Sequence, residues 1–478
     1  MGPDVGKTVR SRQAPHHRYV PPAYREAGNA PAGSGNWGLY TGEPETCRRR
    51  LVPFARSLLC LGLLCIVFRR YQIEGRAFFT LANLALFALP VHYLAPYRWK
   101  KPLFLAVSIA GLFWVFGALV ATVVLALSAV LLSVCFLPLS WSARAVLLAT
   151  LAAGLAYARS QPFFSSVPAN VWPVLASMFI FRLMIYMYEI KHAKGPERFV
   201  DGAGYFLLLP NFCFLHFPVV DYRTMQRGYF ALDVHAIQGR GLAMMFRGTL
   251  HLIAYRLVYH ELLITPEQVH SAASLAGYLV CNYLLYLRVS GQFHMACGML
   301  HLFGYQLPET HHRYLLATGF TDYWRRINIY WKDFMVRLFF NPVVFRLKRW
   351  PQPAALAVGT LAVFLATWIL HAYQSFWLRG KWGLSLPDAL FWGVLGVLVL
   401  VNVQLDARGS RKANRKGKRP AGGIKPQTAA GAWQLRPLAF RGLKTAATFT
   451  TIALLWSLWS SPSLSSWFDL LRRGLCGV

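Results

Sequence analysis

The chain has 478 residues, of which 56% are hydrophobic and 14% are charged. A soluble protein of this length would bury its apolar residues in a few cores separated by polar loops, whereas this chain keeps them in long uncharged stretches. Residues 103–139 alone are long enough for two membrane crossings of about 18 residues each. Lysine and arginine total 50 against 18 aspartate and glutamate residues, a net charge of +32. No zinc-finger, RNA-recognition or helix-turn-helix pattern accompanies these cations. We therefore attribute these cations to positive-inside topology and to contact with anionic lipid headgroups. We predict no nucleic-acid partner.

Residues 1–50 are rich in Gly, Pro and Arg and contain no early apolar stretch. This composition predicts a disordered basic tail on the cytoplasmic side and no cleavable signal peptide. The eight cysteines are scattered, mostly inside apolar stretches, without a CxxC pair. They are therefore predicted to be small core residues rather than a disulfide framework.

The apolar stretches predict an all-α polytopic membrane protein with about ten to twelve transmembrane helices and some short re-entrant and interfacial helices. The predicted crossings cover residues 51–68, 76–96, 103–139 (two crossings), 143–158, 171–190, 205–220, 241–264, 272–287, 354–376, 386–403 and 446–467. A shorter apolar piece covers residues 295–305. Residues 406–444 are too polar to cross and predict a basic flexible cytoplasmic loop. This loop separates a transmembrane domain at residues 51–405 from a C-terminal transmembrane helix within residues 445–478.

The sequence GFTDYWRRINIYWKDF, residues 319–334, places acids, bases and one asparagine among aromatic residues. A helix over residues 321–340, at about 100° per residue, has an apolar arc on one side and charges on the other. The charged side contains two acid-to-base pairs at i,i+4 spacing, Asp322–Arg326 and Asp333–Arg337, in the favourable orientation. These two faces predict an amphipathic helix along the membrane surface, which requires no chemistry.

A third stripe of this predicted helix consists of Arg325, Asn328 and Lys332, next to Trp324 and Trp331. It places an amide between two cations. Such a lining suits a wet cavity that receives a polar headgroup or a phosphate. The surface helix without a site is the alternative interpretation.

An ionisable residue directly follows the uncharged stretch at residues 354–370. That stretch would form about 26 Å of helix at 1.5 Å per residue, and His371 comes next. A histidine at such a position is disfavoured unless it has a partner or faces a cavity. Held neutral by burial, it can act as a general base; the alternative is a histidine that only hydrogen-bonds at headgroup level. No HExxH or comparable spacing predicts a metal site, and the sequence has neither a GxSxG elbow nor a P-loop.

The order of motifs in residues 290–345, SGQFHMACGMLHLFGYQLPETHHRYLLATGFTDYWRRINIYWKDFMVRLFFNPVVF, resembles the core of the membrane-bound O-acyltransferase (MBOAT) family. The resemblance is strongest to the bacterial branch that acylates cell-envelope polymers. It consists of Ser-Gly at the start, LFGYQLPE at residues 302–309, YWRR at residues 323–326 and WKD at residues 331–333. HFPVVDYRTM, residues 216–225, is similar to the family's upstream loop, and the likeness extends over residues 205–382.

The family has two hallmark positions, which correspond to Asn328 and His371. Ile327-Asn328 stands where the bacterial branch has Trp-His and resembles the animal sterol and diacylglycerol branches, and Leu370-His371-Ala372 replaces Trp-His-Gly. The resemblance implies that His371 is the general base and that Asn328 hydrogen-bonds the acceptor or the developing oxyanion. It implies substrate binding by Trp324, Arg325, Trp331, Lys332 and His294.

The resemblance implies transfer of an acetyl or similar acyl group to a hydroxyl of a cell-envelope polysaccharide in the bacterial plasma membrane. The donor would be a thioester, acyl-CoA or an acyl carrier protein, acting as co-substrate with no bound cofactor and no metal. An extracytoplasmic acyl-transfer partner is also compatible with this branch. Two alternatives remain: acylation of a lipid such as a lysophospholipid or sterol, and a non-catalytic transporter or scaffold on the same fold. No repeat symmetry typical of transporters is evident.

Overall fold

The structure is a computed structural model that describes residues 45–161, 171–175, 180–192, 199–213, 220–416 and 435–477. Regular structure in these ranges is helical, and the only β-type contact there is an isolated bridge between Tyr229 and Tyr305. The predicted all-α class is therefore confirmed. Residues 1–44 of the predicted tail, 216–219 of the upstream loop and 417–434 of the predicted cytoplasmic loop lie outside the described residues.

The first half of the described chain contains ten helices, some of them short. They are α1 (Leu51–Tyr71), α2 (Arg76–Leu94), α3 (Tyr97–Phe136), α4 (Trp141–Ser160), α5 (Val171–Leu175), α6 (Phe181–His192), α7 (Phe199–Leu207), α8 (Pro210–Cys213), α9 (Tyr222–Gly228) and α10 (Val234–Leu257). Helix α3 bends at Gly117, whose φ of 80° lies in the region that glycine tolerates. The two crossings predicted for residues 103–139 therefore correspond to two helical pieces that meet at this glycine.

The second half contains the helices that carry the predicted site residues. They are α11 (Ala272–Leu284), α12 (Leu287–Leu302), α13 (Phe320–Ile327), α14 (Ile329–Met335), α15 (Asn341–Arg346), α16 (Gln352–Arg379), α17 (Leu386–Lys416), α18 (Leu435–Ser460) and α19 (Leu464–Cys476). One π-helical turn, Val336–Phe340, follows α14 directly.

Within the described ranges, seven helical segments are long and apolar enough to cross a membrane. They are Leu51–Tyr71, Arg76–Leu94, Tyr97–Phe136, Trp141–Ser160, Ala272–Leu302, Gln352–Arg379 and Leu386–Arg408. Many of their large apolar side chains are exposed, including Leu59, Leu63 and Ile66 on α1. Lipid tails accommodate such a surface, and helices satisfy their own backbone hydrogen bonds in lipid. The protein is an all-α, multi-pass membrane protein whose environment is the lipid bilayer.

Several predicted boundaries differ from the structure. Within the crossing predicted for residues 171–190 the structure describes α5 and α6, and residues 176–179 lie outside the described residues. The predicted loop at residues 406–444 is shorter, because α17 continues to Lys416 and α18 begins at Leu435. Lysine and arginine are good helix formers, so a basic composition does not by itself end a helix. The C-terminal segment is two helices, α18 and α19, rather than one.

Helices α10 and α12 approach each other through paired glycines. A Cβ added to Gly248 would lie 2.8 Å from the carbonyl oxygen of Gly291, and one added to Gly298 would lie 2.6 Å from that of Gly241. The two pairs run in opposite sequence order, so the helices are antiparallel. Small residues permit this close backbone approach, which in membranes replaces the hydrophobic effect as the source of helix association.

Gly248→Ala is expected to destabilise the protein, because its Cβ meets backbone that cannot rotate away. Overpacking of this kind typically costs about 1–3 kcal/mol, and a lower unfolding temperature of the detergent-solubilised protein would report it. Gly277→Ala on α11 is the matched control, since nothing lies within 4 Å of the added atom. Its higher helix propensity should leave the unfolding temperature unchanged or slightly raised. Equal unfolding temperatures for the two variants would contradict the role of the glycine contact.

Candidate active site

The helix predicted over residues 321–340 is interrupted at Asn328. This residue has φ −146° and ψ 86°, ends α13 and begins α14. Its side-chain oxygen accepts a hydrogen bond from the backbone N–H of Trp331 at 3.1 Å, which caps the N-terminus of α14. The prediction of one continuous helix was wrong, and Arg325, Asn328 and Lys332 do not form a stripe on one helix face. Asparagine bonds its neighbouring backbone readily, which favours caps over helix interiors.

The peptide groups freed by this interruption have partners in a neighbouring loop and helix. The backbone N–H of Ile329 donates to the carbonyl oxygen of Thr310 at 2.9 Å, and that of His312 donates to Arg326 at 3.0 Å. The hydroxyl of Tyr286 donates to the carbonyl oxygen of Ile327 at 3.3 Å. Because these bonds replace the lost helical ones, the interruption is a stable feature of the fold.

The charged pairs of this segment are only partly as predicted. Arg326 and Asp322 form the expected i,i+4 pair at 2.6 Å. Asp333 instead pairs with its neighbour Lys332 at 2.6 Å. Arg337 lies in the π-helical turn after α14 and pairs with Glu189 and Asp221. The second predicted pair, Asp333–Arg337, was therefore wrong. Arg325 is exposed and Lys332 is half-buried at the same interruption.

His371 on α16 is surrounded by tryptophan rings from three other helices. Its ring centroid lies 5.3 Å from that of Trp331 on α14, 4.8 Å from that of Trp392 on α17 and 6.2 Å from that of Trp459 on α18. The contact with Trp392 is stacked. The imidazole is therefore half-buried among aromatic rings.

Trp331 joins the two predicted catalytic residues. Its backbone N–H is bonded to the side chain of Asn328, and its ring contacts His371. Trp324 on α13 also packs on α16, the helix that carries His371. Its ring lies 4.7 Å from that of Phe364. Trp331 thus contacts both Asn328, which caps the same helix, and His371 on α16, whereas Trp324 packs two turns of α16 away from His371.

His294 lies in a second cluster of polar side chains. Its Nδ1 donates to the carbonyl oxygen of Ser290 at 2.6 Å, and the hydroxyl of Ser290 lies 2.8 Å from Nδ1 of His251. The ring of His311 lies 5.7 Å from that of His294, and its Nε2 bonds the hydroxyl of Tyr286 at 3.0 Å. Because Gly248 and Gly291 each precede one of these histidines by three residues, the glycine contact of α10 and α12 is what brings the histidines together.

The two clusters share an aromatic wall. Ring contacts run from His371 to Trp459, from Trp459 to Trp456 at 5.0 Å, and from Trp456 to Tyr286 at 5.5 Å. Tyr286 in turn contacts His311. The sequence analysis missed Trp392, Trp456 and Trp459. The i,i+3 spacing of the two α18 tryptophans was a usable signal, since it places both rings on one helix face.

A buried ion cluster fixes the segment that follows α14. Arg337 lies 3.0 Å from Glu189 on α6 and 3.2 Å from Asp221 at the start of α9. Burial, together with the neighbouring carboxylate of Asp221, raises the pKa of Glu189 from its ordinary value of 4.5 to about 7. Burial alone would raise the pKa of Asp221 as well, but Arg337 and the backbone N–H of Thr224 outweigh it and lower that pKa. The cluster therefore holds more carboxylate charge at pH 8 than one arginine neutralises.

Comparison of the chain with protein-family models and with curated proteins finds no match. The chemistry of the site must therefore be inferred from its own residues. The site has a histidine in contact with three tryptophans, His371, and an amide, Asn328, that is linked to it through Trp331. Two cations, Arg325 and Lys332, lie near the point where α13 meets α14. An enclosed imidazole can accept a proton, the amide can donate hydrogen bonds, and the cations can bind an anionic group.

Replacement of Glu189 by glutamine should flatten the pH dependence of stability. A carboxyl whose pKa is raised by folding stabilises the protein fully below its unfolded pKa of 4.5 and loses that contribution as the pH rises through about 7. Wild-type protein should therefore lose stability between pH 5 and 8, by an amount on the order of 1–3 kcal/mol. Asp221 does not interfere, because its lowered pKa places its titration below this range.

The measurement is the unfolding temperature of wild type and Glu189→Gln at intervals from pH 5 to 8. Glu74→Gln removes another arginine-paired glutamate, from the ion pair with Arg288 at 2.9 Å, and should keep the wild-type slope. The same slope in all three proteins would show that Glu189 does not titrate in this window.

Proposed function

We propose that the protein is a membrane-bound O-acyltransferase that moves an acyl group from a thioester to a hydroxyl. The observation that carries this proposal is the connection of Asn328 to His371 through Trp331. These residues were named as the hallmark pair from motif order alone, and they are far apart in sequence and on different helices. Their connection through one shared residue supports an acyl-transfer site that has both a general base and a hydrogen-bond donor.

In the proposed reaction, His371 takes the proton of the acceptor hydroxyl as its oxygen attacks the thioester carbonyl. The oxygen–carbon bond forms, the carbon–sulfur bond breaks, and the imidazolium returns its proton to the departing thiolate. The oxygen of Asn328 already accepts the bond from Trp331, so this side chain contributes its amide N–H groups. It would donate to the acceptor or to the developing oxyanion.

The donor is proposed to be acyl-CoA or an acyl carrier protein, which share a phosphate-bearing pantetheine arm. Arg325 and Lys332 flank the interruption at Asn328 and are the cations placed to bind that phosphate. Lys332 is already paired with Asp333, so the phosphate would have to compete with this carboxylate. Arg325 is exposed and meets no such competition within the described contacts.

The acceptor is proposed to be a hydroxyl of a cell-envelope polysaccharide, acylated with an acetyl or similar short group at the bacterial plasma membrane. An acyl-transfer partner on the extracytoplasmic side would fit this role. A lipid acceptor is the competing outcome, since the Ile327-Asn328 sequence resembles the lipid-acylating branches. The assay must therefore separate polymer from lipid products.

The test is acyl transfer by purified protein given radiolabelled acetyl, D-alanyl or long-chain thioesters with membrane extract as acceptor. Label in the polymer fraction supports the proposed acceptor, and label in the lipid fraction replaces it with a lipid. His371→Ala should lower the rate by about 10²–10⁴-fold, the usual contribution of a general base. His192→Ala, at an exposed position on α6, is the control and should leave the rate unchanged. Equal traces from wild type and His371→Ala would end the catalytic interpretation.

Asn328→Asp separates the structural role of this residue from its chemical one. Aspartate also caps helix N-termini well, so the unfolding temperature should remain near that of wild type. The amide N–H donors are lost, and the turnover number should fall by about a hundredfold. Asn328→Ala removes the cap as well and should cost about 1 kcal/mol of stability in addition. A fully active Asn328→Asp enzyme would restrict Asn328 to capping.

A further inference from the structure

The three tryptophans around His371 differ in how their indole N–H groups are used. Nε1 of Trp459 donates to a carboxylate oxygen of Asp388 at 2.6 Å. Nε1 of Trp331 and Nε1 of Trp392 are buried, and neither has an acceptor within the part of the chain that the structure describes. Trp392 as a whole is only 7% exposed. Two of the three rings in contact with His371 therefore carry a buried donor without a partner.

A buried donor without an acceptor is unfavourable. Tryptophan has one polar group, the N–H, and buried indoles usually find an acceptor for it. Leaving a buried N–H unbonded costs the desolvation of that group. Two such groups belong to rings on different helices, and both rings contact the imidazole of the proposed base. Pairs of this kind stabilise oxygen atoms that gain negative charge during a reaction.

We propose that the indole N–H groups of Trp331 and Trp392 form a binding site for the carbonyl oxygen of the acyl thioester. This inference rests on the proposed acyl transfer and identifies the group that the aromatic enclosure receives. Each donor belongs to a ring in direct contact with His371, at 5.3 Å and 4.8 Å between centroids. The carbonyl is thereby held beside the group that deprotonates the attacking hydroxyl.

The two donors act on one step of the transfer. When the acceptor oxygen bonds to the carbonyl carbon, the electron pair of the C=O bond moves onto its oxygen, and the hydroxyl proton moves to His371. The oxyanion accepts hydrogen bonds from both indoles. It then reforms the C=O bond as the carbon–sulfur bond breaks, and the thiolate takes the proton from the imidazolium. No oxidant, reductant or metal enters this balance.

Phenylalanine replacements test the donors, because they remove the N–H and keep an aromatic ring. Trp331→Phe and Trp392→Phe should each lower the turnover number by about a hundredfold, with a smaller change in KM for the donor and a near-normal unfolding temperature. Trp377→Phe is the matched control. Trp377 is a buried tryptophan on the same helix as His371, and its ring packs on Trp172, Tyr373 and Phe376. Turnover numbers of all three variants within about twofold of each other would overturn the inference.

A second measurement does not depend on turnover. Protein labelled with ¹⁵N in the indole rings, in phosphatidylcholine nanodiscs, is titrated with S-acetonyl-N-acetylcysteamine, in which a ketone replaces the thioester carbonyl. S-propyl-N-acetylcysteamine, which keeps the acetamide group but lacks the ketone, is the matched control. The N–H signals of Trp331 and Trp392, assigned by their loss in the phenylalanine variants, should shift saturably with the ketone alone. Unmoved signals, or equal shifts with both compounds, would refute the carbonyl site.

The two measurements distinguish failure of this inference from failure of the proposed function. Acyl transfer that depends on His371 but not on the two indoles would retain the function and overturn the donor pair. Indole signals that respond to the ketone in a protein that transfers no acyl group would retain the carbonyl site and overturn acyl transfer.

Discussion

The close contact of α10 and α12 at Gly248 and Gly291 is the constraint from which the site geometry follows. It fixes α12, whose first residue follows Tyr286, and the hydroxyl of Tyr286 donates to the carbonyl of Ile327 where α13 ends. Asn328 then caps α14, and Trp331 reaches His371 from the first turn of that helix. A glycine contact between two helices is thereby linked, through a few hydrogen bonds, to the position of an imidazole on a third.

The tryptophans do more than fill space around His371. They place aromatic ring surface from three other helices against the imidazole. In the proposed reaction, hydrogen bonds are donated by single groups, namely the amide of Asn328 and the indole N–H groups of Trp331 and Trp392. In a low-dielectric enclosure each of these dipoles acts more strongly than it would in water. The charged groups remain outside the ring of tryptophans, at the interruption and in the cluster of Glu189, Asp221 and Arg337.

Composition and long apolar stretches were enough to predict an all-α polytopic membrane protein, because burying helices in lipid needs little more than length and hydropathy. Motif order named Asn328 and His371 as catalytic residues and Trp331 as a substrate-binding residue; Trp331 contacts both of the others, and the roles stay predictions. Periodicity failed at Asn328, where a uniform helix was predicted. The backbone partners of the interruption come from Thr310 and Tyr286, which no local pattern can show. Periodicity also failed at Arg337, because its partners, Glu189 and Asp221, are distant in sequence. The placement of His294 in a separate cluster depends likewise on a contact between two helices.

The capping bond restricts what Asn328 can contribute to chemistry. A backbone N–H needs an acceptor, so the bond from Trp331 assigns the oxygen of the amide to structure and leaves its NH₂ group for other partners. Asn328 can then donate hydrogen bonds but cannot take a proton. In the proposed reaction the base would therefore be His371, with proton removal on α16 and hydrogen-bond donation at the start of α14. A histidine at position 328 would bring a second base to the same place. An asparagine brings only donors, which suits a site where charge develops on oxygen and a single proton moves.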